Sequence, residues 1–83
     1  MSLSRYKCHK EVNAGKILEI VPGGLEMIVE HDGGIRVVHF VTREWFDKHQ
    51  PKAGGYLVQY DDGYESYSPA AAFEAGYSAI YRP

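Results

Sequence analysis

The sequence predicts an α+β domain: an antiparallel, strongly twisted sheet of about five strands with two short helices, at about residues 43–50 and 69–75. Three observations carry this. β-branched and aromatic residues fall in short runs, the runs are bounded by glycine, proline or aspartate, and two segments carry helix start and stop residues. A partly rolled, barrel-like sheet is the alternative architecture. The 83 residues make one small domain, 1–83, with residues 1–4 expected to be a tag remnant or a disordered end. A domain this short buries only roughly 60% of its unfolded surface, so it has little stability to spare.

The elements follow in chain order. A first strand is expected to hold Cys8. Lys16–Val21 is apolar and strand-like, and Leu25–His31 sets Leu25, Met27 and Val29 against Glu26, Ile28 and Glu30. His31-Asp32-Gly33-Gly34 is a hairpin turn into Ile35–Val41, which offers Val37, Val38, Phe40 and Val41. Thr42 is placed as the N-cap of a helix over Arg43–Gln50 that Pro51 stops. Trp45 and His49 stand at i and i+4 on its aromatic face, and Glu44 and Lys48 form the acid-first pair on its wet face.

Tyr56–Tyr60 and Tyr64–Ser68 are strands joined by Asp61-Asp62-Gly63. A two-residue turn would pair Val58 with Tyr67. A three-residue loop with a bulge at Gly63 would pair Tyr60 with Tyr64 and Leu57 with Tyr67, leaving Glu65 on the solvent side. The second register is favoured because it sets aromatic against aromatic. Ser68 then caps a helix whose first position is Pro69, whose anchor is Phe73 and whose terminus is Gly76, and Tyr77–Tyr81 is a final short strand. The expected core is Ile17, Leu18, Ile20, Met27, Val29, Val37, Phe40, Trp45, Phe46, Val58 and Phe73.

The run Tyr6-Lys7-Cys8-His9-Lys10 and the stretch Gly54–Tyr77 resemble small phage- and prophage-encoded proteins of unknown function, which share a YKCHK start and a GGYxVxYxDGYxSxSPAxAFExGY end. The likeness covers about a third of the chain and leaves out residues 17–41. Tyr67 stands where that pattern has tryptophan. The resemblance implies a phage or prophage origin and a bacterial cytoplasm. It brings no activity and no functional residue.

Composition closes off several function classes. Apolar residues at 45% and charged residues at 24% are ordinary globular values. No apolar run approaches a membrane span, and no charged-then-apolar leader opens the chain. A single cysteine makes no internal disulfide, so a reducing cytoplasm is the natural setting. The formal charge of −2 is unevenly spread. Residues 1–16 carry Arg5, Lys7, Lys10 and Lys16 against Glu11, a net +3, whereas residues 53–83 carry four acids against Arg82, a net −3. Cys8, His9, His31, His39 and His49 show no metal-ligand spacing, so no cofactor and no metal is expected. Cys8 beside Lys7, His9 and Lys10 is the only candidate for a nucleophile, and a small half-buried strand cysteine explains it better. Asp61-Asp62 reads as a turn rather than a carboxylate site. No enzyme activity is expected.

Tyrosine is the feature with functional content. Tyr56, Tyr60, Tyr64, Tyr67, Tyr77 and Tyr81 all fall in the last 28 residues. An interior this small does not enclose six such rings, so some are expected to line an interaction surface, where tyrosine is enriched among hot spots. The competing reading packs them against the second helix and one another. The function expected is a non-enzymatic module that binds a protein partner or itself, a homodimer included, with no membrane role. The alternative is an accessory single-stranded nucleic-acid binder working through Arg5, Lys7, Lys10 and Lys16. The acids that follow this short basic segment count against that alternative.

Overall fold

The computed structural model describes residues 3–7, 11–76 and 78–79, with side chains for residues 3–4 and 12–76. In chain order the elements are β1 (Ser4–Lys7), β2 (Glu11–Ile20), β3 (Glu26–Glu30), β4 (Arg36–Phe40), α1 (Arg43–His49), β5 (Tyr56–Gln59), β6 (Glu65–Ser68), α2 (Ala70–Gly76) and β7 (Ser78–Ala79). Every pairing is antiparallel. Five strands in the order β4-β3-β2-β5-β6 form an open sheet, and β1 with β7 extends it beside the first half of β2. The α+β class and both helices are as the sequence predicts. Counting β1 and β7, seven strands take part.

The ten residues of β2 organise the fold. Ser4–Lys7 pairs with Glu11–Ala14, and β3 takes over from Ile17 on the same edge, while β5 pairs with Asn13–Lys16 on the other. The pairing with β3 shifts register between Ile17 and Glu19, leaving Leu18 as the extra residue of a bulge. The bulge brings Ile20 back to the face of Ile17. There Leu3, Ile17, Met27, Val29 and Leu57 are buried, with Ile20, Val41, Trp45 and Tyr67 packed against them. The opposite face buries Val12, Ala14, Tyr56, Val58 and Phe73, with Tyr60 and Ala70 alongside. Tyr56, Leu57 and Val58 are therefore all enclosed: α1 covers one face through Trp45 and α2 covers the other through Phe73.

The sheet curls until side chains of its two outer strands meet. His39 Nε2 on β4 lies 3.1 Å from Glu65 Oε1 on β6, and Trp45 Nε1 donates to the Glu65 carbonyl at 3.0 Å. The indole of α1 thus occupies the outward carbonyl of β6 where a further strand would otherwise bond. The barrel-like alternative is met only in this partial sense, through side chains.

Local chemistry explains the connections. Thr42 Oγ1 accepts from Trp45 N at 3.0 Å, as expected of an N-cap, and α1 ends at His49 before the left-handed Gln50 and Pro51. The hairpin takes the three-residue form: Tyr60 N donates to Tyr64 O at 2.9 Å, Leu57 pairs with Tyr67, and Asp62 Oδ1 accepts from Tyr64 N at 2.9 Å. Gly63, at φ 90°, supplies the left-handed residue that this loop needs.

Several expectations are corrected. Phe40, assigned to the core, is 70% exposed, because pairing with β3 turns Val37 and His39 inward and Val38 and Phe40 outward. Leu18, Val37 and Phe46 are half-buried. Leu3, given no structural weight, is buried in the core. Glu65 does not face solvent; it is half-buried, with Gln59 Nε2 at 3.3 Å and His39 on its carboxylate. Ser68 ends β6 and its hydroxyl meets the Pro69 carbonyl instead of capping an amide, while Pro69 O accepts from Phe73 N at 2.9 Å to open α2. The Glu44–Lys48 pair does not form; the i,i+4 contact is Arg43–Asp47, at 3.9 Å and well exposed. Such a pair contributes little. Of the strand expected at Tyr77–Tyr81, Ser78–Ala79 pairs with β1, and Tyr77 and Tyr81 lie outside the described residues.

Candidate functional site

The hairpin register puts Tyr56, Tyr60 and Tyr64 on one face and Tyr67 on the other, and position along the strands decides which of them are covered. Tyr56 is in the core, its ring stacked on Phe73 at 4.1 Å and its hydroxyl donating to Glu74 Oε2 at 2.9 Å. Tyr67 is half-buried over Gly55, which has no side chain for a reason: a Cβ there would lie 2.4 Å from Tyr67 Cε1. Tyr60 is half-buried, and Tyr64 is 47% exposed. The last two face each other across the loop with centroids 6.1 Å apart and ring planes 23° from parallel.

The exposed end of this pair meets the last turn of α1. Lys48 Nζ lies 3.4 Å from Tyr64 Oη and 5.7 Å from its ring centroid, within cation–π range. His49 Nε2 lies 3.5 Å from the same hydroxyl, and its ring packs 4.6 Å from Trp45. Trp45 is held in turn by its bond to β6. Thr42, Glu44, Trp45, Lys48, His49 and Tyr64 line an open groove of about 370 Å³. It offers the Trp45 and Tyr64 rings, residue types enriched at protein contact surfaces, with the Lys48 cation and the Glu44 carboxylate beside them.

The His49 imidazole is held below its ordinary pKa, first by burial and then by the neighbouring Lys48 ammonium. The folded protein therefore resists a proton that the unfolded chain accepts. Stability is full above the ordinary imidazole value and falls as pH drops from that value through the lowered one. An NMR titration is expected to place the His49 midpoint below the ordinary value. Lys48→Met should raise it only part of the way, because burial is the larger cause.

Lys16 stays apart from this groove. Lys16 is exposed on β2 and lines a second recess, of about 400 Å³, together with Glu30 and His31, so acid and base share it. The side chains of Arg5 and Lys7, and all of Cys8, His9 and Lys10, lie outside the described residues. Among the described residues no three His, Cys, Asp or Glu side chains gather as a metal site, and no helix is long and apolar enough to cross a membrane. Sequence reasoning missed Trp45, Lys48 and His49 as neighbours of Tyr64. Their helical spacing was visible, but nothing local showed that the 61–63 loop would fold over them. No protein-family model matches the chain, and no significant match is found among curated proteins or solved structures.

Proposed function

We propose that this protein is a non-enzymatic interaction module of phage or prophage type, working in the bacterial cytoplasm and gripping a protein partner with the groove between α1 and the β5–β6 loop. The observation that carries the reading is Tyr64, an exposed ring backed by Tyr60 on one side and by Lys48 and His49 on the other. A ring restrained by its neighbours loses little further freedom when a partner covers it, which is what makes tyrosine effective at interfaces. The phage assignment rests on the resemblance of the two terminal motifs, and the compartment on the lone cysteine.

The test is affinity capture from bacterial lysate with the wild type and with Tyr64→Ala, which leaves the core untouched. The wild type is expected to retain a discrete protein, and Tyr64→Ala to retain it about tenfold less or worse. Equal retention by both, or no discrete partner, contradicts the reading.

A further inference from the structure

The geometry points to β4 as a self-association edge, on which a second copy of this chain adds its own β4 antiparallel about a two-fold axis through Val38. The hydrogen-bond phase of the strand carries this. Val41 N donates to Leu25 O at 3.0 Å and His31 N to Ile35 O at 2.7 Å, so Ile35, Val37, His39 and Val41 turn their backbone groups toward β3. The N–H and C=O of Arg36, Val38 and Phe40 therefore point away from β3, and β4 has no second strand neighbour among the described residues. Natural edges are usually blunted by proline, lysine, a bulge or a cover. β4 has no proline or lysine, its one strand cation is Arg36, it pairs with β3 in unbroken register, and the side chain that reaches β6, His39, leaves from the inward face.

The occupant follows from complementarity. Residues opposite one another in the Val38-centred register sum to 76, so Val38 meets Val38 of the second copy and Arg36 meets its Phe40. This is the one register that engages all three outward residues of both strands, as three pairs of two hydrogen bonds each. Paired side chains share a face, so Ile28 and Val38 of each copy form one apolar row across the joined sheet. The flanking row reads Glu30, Arg36, Phe40 of the second copy, Glu26 of the second copy. Each guanidinium stands between its own Glu30 and an aromatic ring, with a carboxylate beyond, and no like charges are opposed. A register centred on Arg36 would instead set the two arginines against each other. The pairing also covers Phe40 and Val38, 70% and 46% exposed on the single chain.

Sedimentation velocity over a concentration series tests this. The wild type is expected to reach a dimer reversibly. Val38→Lys and Val38→Glu should each be monomeric, because like charges then face across the axis, and their equimolar mixture should dimerise again. Phe40→Arg, at a solvent-exposed position, should weaken the dimer about tenfold or more by opposing Arg36 of the second copy. Circular dichroism confirms that each variant is folded. Tyr64→Ala lies outside this edge and should dimerise as the wild type does, which separates the inference from the groove. A monomeric wild type, variants that dimerise normally, a mixture no better than its components, or a dimer lost in Tyr64→Ala would overturn it.

Discussion

Phe73→Ala is expected to cost about 3–5 kcal/mol, a large share of the ~5–15 kcal/mol that holds a domain together. Phe73 is 1% exposed and is the single large apolar side chain that α2 contributes to the core. A helix of seven residues has almost no stability of its own, so it stays on the sheet chiefly through that ring. Removing the ring also uncovers Tyr56, which stacks on it, and loosens the Tyr56–Glu74 hydrogen bond. Chemical denaturation measures the cost. Phe73→Leu, which keeps most of the volume, should lose much less. A loss below about 1 kcal/mol for alanine would show that α2 is not what closes this face.

Gly15→Val is the second large effect, at about 3 kcal/mol or more, the upper range of overpacking. The cause is space rather than backbone freedom, since Gly15 has no unusual φ. A Cβ at this position would lie 2.5 Å from the Glu30 carbonyl oxygen, 2.5 Å from Leu3 Cδ2 and 2.7 Å from Val29 Cγ1. Gly15 falls between the last β2 residue paired with β1, Ala14, and the first paired with β3, Ile17. Any side chain there separates β2 from β3 at the point where one strand serves two partners. Thermal denaturation of Gly15→Val against Gly76→Ala, where an added Cβ meets nothing and φ is not left-handed, separates crowding from a general glycine effect.

Much of the fold was legible wherever local chemistry decides it. The Thr42 cap, the Pro51 stop, the Gly63 loop with its register and the Phe73 anchor each depend on a few adjacent residues. What was not legible depended on distant partners. Val37, Val38, Phe40 and Val41 are apolar on both faces, so only the pairing with β3 decides that Phe40 faces outward. Residues 11–15 read as part of a basic head, although Val12, Ala14 and Gly15 are fully packed, because their burial comes from β1, β5 and α2 together. A glycine within an apolar alternation was the available signal of a close approach.

The same division applies to the site. The excess of tyrosine pointed to surface rings, and position along the hairpin decides which: Tyr56, against Phe73, goes to the core, Tyr67 half inside over Gly55 on the other face, and Tyr64, beside the loop, to the surface. Tetranitromethane nitration of the native protein, mapped by mass spectrometry over time, tests this sorting directly. Among the tyrosines whose side chains are described, Tyr64 should react first, Tyr60 and Tyr67 more slowly, and Tyr56 only when the protein is unfolded. Native Tyr56 reacting as fast as Tyr64, or Tyr64 protected in the single chain, would contradict it.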